Sequence, residues 1–398
     1  MMLYVKNNIE FYADKIPDSP SLLQKDNLKY IFNNLPIINK KIMLSNMQAF
    51  LSKNIASNPL IQKVIDLQNM TFDQEETFDL GDCLILTEHT SGTSGVPFTV
   101  LKSSEERLVL GNIIWKRRNT VCSVKPRNMY DFTNYRSLLT CRMTGEDSKT
   151  QILDYLKNSE FSWWYVNEHA LRELSKIVRE QSVIFKNLQV IENSGSYIFE
   201  DQISEYEKVF NCQVTNNYAS REVWNIAYSC KCGYLHINDY IYLELVDDEG
   251  NIISEPNVEG NVVITSLILK TMPFIRYSIG DRACWIDGTC NCGDDSRRIR
   301  LLPGRQKIKG TDLYGNLVFQ NIITTLLTQY NLTKYSEINI VQTTPDQFTI
   351  NIKGNQENKR FMEKAFMATA YSVLNNTKYR FNFTYDENQK YKSLFVSY

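Results

Sequence analysis

Two Cys-x-Cys pairs constrain this chain more than any other local feature: Cys230 and Cys232 in "SCKCGYLHIN", and Cys290 and Cys292 in "GTCNCGDD". His236 follows the first pair. Thiolate and imidazole are the ligands that tetrahedral Zn²⁺ takes. If four of these five residues share one ion, two loops far apart in sequence must fold against each other. Two ligand sets are open: Cys230, His236, Cys290 and Cys292, or the four cysteines. Cys-x-Cys is tighter than the usual Cys-x₂-Cys, and the competing reading is reduced, unliganded surface cysteine. A closed four-ligand site leaves no open position, so the metal is expected to be structural. The other five cysteines, Cys83, Cys122, Cys141, Cys212 and Cys284, are scattered and read as buried small hydrophobes. Nine cysteines in 398 residues do not make a disulfide framework.

The length suits two or three domains. With 43% hydrophobic and 22% charged residues, an ordinary globular protein is expected. A net charge of −1 gives no general attraction to nucleic acid or an anionic membrane. No apolar run approaches the ~20 residues of a membrane span. The opening "MMLYVKNNIEFYADK" meets charge and Asn too soon for a signal peptide. The expectation is a cytoplasmic enzyme or binding protein with neither nucleic acid nor membrane as partner.

Residues 21–80 read mostly helical. "CLILTE" and "PFTVLK" bracket "TSGTSGVP" and fit a hairpin. "SSEERLVLGNIIWKRR" is a helix capped at Ser103 or Ser104, with Glu in its first turn and Arg/Lys in its last. "HALRELSKIVREQ" is another helix, and "LQVIENSG" a buried strand leading to a ligand edge. "IYLELVDDEGNIISE" is a hairpin, followed by the strand "GNVVITSL". From Arg305 the pattern changes. "LYGNLVF" reads as a hairpin, "QNIITTLLTQY" as a helix, and "EINIVQTT" and "DQFTINIKG" as strands. "NKRFMEKAFMATAYSVL" is a helix and "YRFNFTYD" a strand. This α+β set is large enough for its own small domain, with the boundary at "LLPGRQKIKG".

The two glycines of "TSGTSGVP" allow sharp turns, and successive backbone N–H groups there form an anion-binding concavity. The Walker lysine is absent. Alone, the segment reads as a solvated hairpin loop before it reads as a binding site. Downstream, "NNYASREVW" places Tyr218 before Glu222, "PFIRYSIGD" ends in Asp281, and "LPGRQKIKG" carries Arg305. In this order the segments resemble the adenylate-forming superfamily of acyl- and aryl-CoA ligases, most closely its phenylacetate–CoA ligase branch and related capsule-biosynthesis-type adenylating proteins. That branch has roughly "SSGTTGKP", "YGxTE", "RYRTGD" and "GRxDD". "FYADKIP" and "LPIINKKIMLSN" are similar to its "FYRER" and "LPxxxK" lead-in. The resemblance covers almost the whole chain.

It implies an α/β fold: a large N-terminal adenylate-forming domain of mixed sheets flanked by helices, 1–304, with a zinc-binding insert at 230–292, and a small mobile α+β C-terminal domain, 305–398. It also implies residue roles. Ser91, Gly92, Thr93, Ser94 and Gly95 would grip the β- and γ-phosphates of ATP. Glu222 would hold Mg²⁺, a hard cation that wants carboxylate and phosphate oxygens. Tyr218 would pack on adenine, with Ser194, Gly195 and Ser196 lining its other side. Asp281 would accept from the ribose hydroxyls, and Arg305 would reach the ribose or α-phosphate as a cationic fork. Lys392, with Lys390 in reserve, resembles the C-terminal lysine that bridges carboxylate and α-phosphate.

The implied reaction has two steps. A small-molecule carboxylic acid displaces pyrophosphate to give acyl-AMP, and a thiol such as CoA then displaces AMP. An aryl acid is preferred, with Trp115, Tyr130, Tyr135, Trp163, Trp164 and Tyr197 as candidates for a flat pocket. Transfer to an amine, a carrier protein or a reductase is the alternative; a nucleotide-binding interaction protein without catalysis is a second. A homodimer is left open. Four departures mark a divergent sequence: Val96 for the loop lysine, Ala219 for Gly, "SIGD" at Ser278–Asp281 for "RTGD", and a lysine tail less Gly-rich than the family's; at the expected hinge Lys307 stands where many members have Asp and luciferase-type members have Lys. His89 and His169 have no obvious partner and read as structural.

Overall fold

The computed structural model describes residues 1–17, 32, 34–66, 76–90, 98–123, 125–132, 154–303, 308, 311, 315, 318–319, 322, 326, 337–353, 359–374, 378–385 and 395–397. Three sheets organise them. In the first, β2 (Leu84–His89) and β3 (Thr99–Ser103) form the expected antiparallel hairpin, with His89 opposite Thr99. A third strand, β1 (Thr77–Asp79), pairs with β2, so the helical expectation for residues 21–80 fails there. Three residues at a sheet edge carry no readable period. Helices do occupy Lys40–Ser45, Lys53–Ala56 and Pro59–Asp66.

Ser103 ends β3 and caps the next helix. Its Oγ accepts from Glu106 N at 3.2 Å, and Glu106 Oε2 accepts from Ser103 N at 2.8 Å. This reciprocal capping box fixes the start of the helix Ser104–Val121.

The second sheet has eleven strands. β4 (Met129–Asp131), β5 (Trp163–Val166), β6 (Val190–Ser194) and β7 (Gln213–Ser220) run parallel. The helices Glu168–Gln181 and Glu200–Phe210 make the β5–β6 and β6–β7 crossovers. All five residues of β6 are buried, the pattern of a strand covered on both faces. From β7 the sheet turns antiparallel through β8 (Trp224–Ser229), β9 (Leu235–Ile237), β14 (Arg298–Leu301), β13 (Tyr277–Ile286), β12 (Glu259–Ser266), β10 (Ile241–Val246) and β11 (Ile252–Ile253). The switch from parallel to antiparallel falls at the β7–β8 turn.

The third sheet contains β15 (Glu337–Thr344), β16 (Gln347–Lys353), β17 (Arg380–Tyr385) and β18 (Phe395–Ser397), in the order β17-β16-β15-β18. Its core draws on Ile308, Phe319, Ile340, Phe348 and Phe366 of the helix Lys359–Leu374. The architecture is therefore α/β, with large mixed sheets flanked by helices and a small α+β C-terminal domain. The hairpin expected at "LYGNLVF" is wrong: Gly315, Val318 and Phe319 are helical. Val318, Ile322 and Leu326 recur every four residues and are buried, a helical face that a glycine disguised as a turn. Among the described residues no helix is long and apolar enough to cross a membrane.

The scattered cysteines are less buried than expected. Cys284 is buried, but Cys83, Cys122 and Cys212 are half-buried, and Cys141 lies outside the described residues. Cys122 Sγ lies 3.0 Å from Gln189 Oε1, as a weak donor rather than a packed hydrophobe.

Candidate functional site

The β7–β8 turn brings the central motif to β13. Tyr218, near the end of β7, donates its hydroxyl to Asp281 Oδ2 at 2.9 Å. Glu222, 8% exposed in the turn, accepts from the Tyr277 hydroxyl at 3.0 Å. Tyr277 and Asp281 both belong to β13, so one strand contacts both motif residues. Gly280 has φ +84°, which lets β13 bend just before Asp281. The turn is strained on the other side: Trp224 has φ +65°, uncommon for a bulky residue.

That strain is held by contacts the sequence did not reveal. Trp224 Nε1 donates to Glu88 Oε2 at 2.8 Å, and Lys102 Nζ donates to Glu88 Oε2 at 3.0 Å and to the Arg221 carbonyl at 2.6 Å. Lys102 and Glu88 are both fully buried. Burial pulls the Lys102 ammonium below its ordinary value, while Glu88 opposes that shift. The β2–β3 hairpin is thereby locked to the turn carrying Glu222. Tyr240 adds a bond from its hydroxyl to the Val223 carbonyl at 3.0 Å.

Ser194 ends β6 and lies opposite Asn217, next to Tyr218. Gly195 has φ +83°, and Ser196 Oγ accepts from Glu168 N at 2.8 Å. These three residues are thus beside Tyr218's strand. Ser91, Gly92, Thr93, Ser94, Gly95, Arg305, Lys390 and Lys392 lie outside the described residues. The flanks of the loop are described: Thr90 N donates to Phe98 O at 3.0 Å, and His89 Nδ1 lies 3.2 Å from Thr99 Oγ1.

The cysteine pairs converge. Ligand atoms of Cys230, His236, Cys290 and Cys292 all lie within 4.8 Å of one another. Cys230 and Cys290 sulfurs are 3.7 Å apart, and Cys292 Sγ is 3.4 Å from His236 Nε2. With Zn–S of ~2.3 Å and Zn–N of ~2.0–2.1 Å, the edges of a tetrahedron are about 3.8 and 3.5 Å. The four residues fit. Cys232 is exposed and outside this set. Its turn is closed by Gly233 N to Cys230 O at 2.9 Å, with φ +83° at Gly233, and Cys232 N donates to Cys230 Sγ at 3.3 Å. The Cys290 thiol, despite the opposing pull of burial, is brought down to about 6 by hydrogen bonds from Cys292, His236 and Cys230.

From His236 an unbroken polar chain crosses the sheet interior. His236 Nδ1 faces Ser296 Oγ at 3.3 Å and Asp294 Oδ1 at 3.6 Å, which leaves Nε2 toward the thiols. Asp294 pairs with Arg117, whose Nε donates to Asn238 Oδ1 at 2.6 Å. Asn238 contacts Asn225, Asn225 contacts Asn217, and Asn217 Nδ2 donates to Glu192 Oε1 at 2.8 Å. Glu192 is fully buried and also accepts from Arg118, Trp163 and Tyr228. Arg117 and Arg118, consecutive in one helix, hold the two ends of the chain.

The flat-pocket expectation is corrected at Trp163 and Trp164. Trp164 is in the core, edge-on to Phe132 and Phe185, and Trp163 is buried against Glu192. Trp115, Tyr130 and Tyr197 are half-buried, and Tyr135 lies outside the described residues, as does the side chain of His169.

No protein-family model matches this sequence, and no curated protein does. Solved structures match its fold. A 2-hydroxyisobutyryl-CoA ligase in complex with 2-HIB-AMP and CoA, in the thioesterification state, is 16% identical over 100% of this chain and 87% of that one, with a TM-score of 0.60. The same ligase in the postadenylation state with 2-HIB-AMP gives 16% identity, coverage of 99% and 86%, and a TM-score of 0.61. Fatty acyl-adenylate ligases from E. coli and L. pneumophila give 12% identity, coverage of 77% and 67%, and a TM-score of 0.51. This chain shares the fold of the 2-hydroxyisobutyryl-CoA ligase over its full length.

Proposed function

We propose that the protein is an AMP-forming acid ligase of the adenylate-forming superfamily. It would activate a carboxylic acid with ATP as acyl-AMP and pass the acyl group to a thiol such as CoA, in the cytoplasm. The observation that carries this reading is the pairing of Tyr218 with Asp281 and of Glu222 with Tyr277, between the β7–β8 turn and β13. Those motif residues meet on a chain whose fold matches acyl-CoA ligases end to end. Glu222, with one oxygen on Tyr277, would hold Mg²⁺ with the other. The cation would offset charge on the phosphates. Tyr218 would pack on adenine beside Ser194, Gly195 and Ser196, with Asp281 on the ribose. Arg305 and Lys392 would complete the site from a C-terminal domain beginning near residue 305. Tyr130 packs edge-on to Phe132 in the same core as Trp164, which leaves Trp115 and Tyr197 as the described candidates for an aryl pocket, and aryl acids are the first class to test.

The test is acid-dependent ATP–pyrophosphate exchange across aryl and alkyl carboxylates. At least one acid should stimulate exchange, and CoA should convert the adenylate to a thioester. No stimulation by any acid would count against adenylation. Acyl-AMP without acyl-CoA would leave adenylation and redirect the acceptor.

The tetrahedral cluster would hold a structural Zn²⁺ through Cys230, His236, Cys290 and Cys292. Zinc there would tie the β8–β9 and β13–β14 connections together. Elemental analysis should find one equivalent per chain in protein purified without chelator, and Cys232→Ser should keep it. Cys292→Ser should lose zinc and lower the thermal midpoint. A Cys232→Ser protein without zinc would overturn the ligand set.

A further inference from the structure

One buried ion pair holds the chain on both sides of Glu222. Lys102 Nζ donates to the carbonyl of Arg221, the residue before it, at 2.6 Å. Glu88 accepts from Nε1 of Trp224, two residues after it, at 3.1 Å on Oε1 and 2.8 Å on Oε2. Lys102 and Glu88 meet at 3.0 Å, and neither side chain reaches solvent. Lys102 stands opposite Leu86 in the β2–β3 hairpin, so Glu88, two residues on, shares its face.

Stability alone does not account for such a pair. Taking an ammonium and a carboxylate out of water costs roughly what their attraction returns, and packed apolar side chains often do as well. What this pair adds is its hold on the turn. Trp224 has φ +65°, which a bulky side chain seldom adopts without outside restraint. Lys102 Nζ and Arg107 Cζ also lie over its indole, 5.9 and 5.4 Å from the ring centre. Tyr277 fixes one oxygen of the Glu222 carboxylate from β13, and the ion pair fixes the backbone that bears it. Burial draws the Lys102 ammonium below its ordinary value, opposed first by Glu88 and more weakly by Glu222.

We infer that Lys102 and Glu88 are positioning residues: acting through the turn, they set where Glu222 presents its carboxylate to Mg-ATP. The role rests on the adenylation reading and needs no contact between the pair and the nucleotide. The competing role is a staple that only holds the hairpin against the large sheet. A staple would alter ATP binding equally with and without the metal. A positioning pair alters the metal-dependent part.

Calorimetric titration of the full chain with ATP, once in Mg²⁺ and once in EDTA, separates the two. The double variant Lys102→Met with Glu88→Gln removes both charges together, and the glutamine oxygen can still accept from Trp224. It should weaken ATP binding in Mg²⁺ about 10-fold, the lower end of what losing a group that orients a metal ligand costs, and leave metal-free ATP binding unchanged. In a Glu222→Gln background the same two substitutions should add nothing, because they act through that carboxylate. If the double variant does not fold, Trp224→Phe carries the test: it keeps a ring and removes only the Nε1 bond to Glu88. Wild-type ATP affinity in Mg²⁺ in whichever variant folds overturns the inference. So does equal weakening with and without the metal, or an undiminished effect in the Glu222→Gln background. A wild-type protein that binds no ATP in Mg²⁺ overturns the adenylation reading, and the positioning role with it.

Discussion

Glu222→Gln is expected to lower acid-dependent pyrophosphate exchange by about 100- to 1,000-fold, the usual cost of removing one preorganised electrostatic group. The structure makes this substitution clean. Tyr277 donates to Glu222 Oε1 at 3.0 Å, and the amide oxygen of glutamine can accept the same bond. The turn is also anchored through Lys102 to the Arg221 carbonyl and Trp224 to Glu88, with the Glu222 charge a lesser support of the Lys102 ammonium than Glu88. Only the charge is lost. Loss of exchange with an unchanged denaturation midpoint would place Glu222 on the metal. A variant with wild-type exchange would remove Glu222 from that role. A variant that loses stability as well as exchange would make the carboxylate structural.

Legibility in the sequence followed distance along the chain. Tyr218 and Glu222 share one short motif, and Asp281 closes another, so their residue types could be read directly. Their partners could not. Glu88 meets Trp224 across 136 positions, and Lys102 meets the Arg221 carbonyl across 119. No local period announces such pairs. A buried lysine in a run reading as strand, "PFTVLK", was the one available sign for Lys102. The strands and long helices were legible because apolar residues repeat with the pleat or the turn. The helix through Val318 and Ile322 was hidden by "YGN", which imitates turn chemistry. The cysteine spacing announced the cluster but left its ligands open; only the distances among ligand atoms group His236 with Cys230, Cys290 and Cys292. Trp164 was misread because an aromatic in a core and one lining a pocket have the same sequence signature.

The largest stability effect should come from Arg118→Met. Arg118 is 7% exposed, and its Nε and Nη2 donate to Glu192 at 2.7 and 3.0 Å in a bidentate pair. Burial works against the Arg118 charge, and Glu192 outweighs it, so the guanidinium is held above its ordinary value. The guanidinium also lies 4.7 Å from the Trp115 ring centre. Methionine would fill much of the space but leave a fully buried carboxylate with no counter-charge. Trp163, Tyr228 and Asn217 would still donate to it, and neutral donors do not replace the lost charge. Breaking one side of such a pair costs about 3–5 kcal/mol. Urea denaturation should show that loss, and the double variant Arg118→Met with Glu192→Gln should recover much of it by removing the stranded charge. Recovery would appear as a coupling energy between the two sites. If Arg118→Met alone costs less than about 1 kcal/mol, water reaches Glu192 and the pair is no deeper than a surface bridge. The same polar chain continues from Glu192 through three asparagines to Arg117 and Asp294. Where the wild type carries the proposed zinc, metal content in the Arg118→Met protein would report whether disorder at one end travels to His236. Retained zinc would confine the damage to the parallel half of the sheet, and lost zinc would show that the cysteine–histidine cluster and the buried ion pair unfold as one unit.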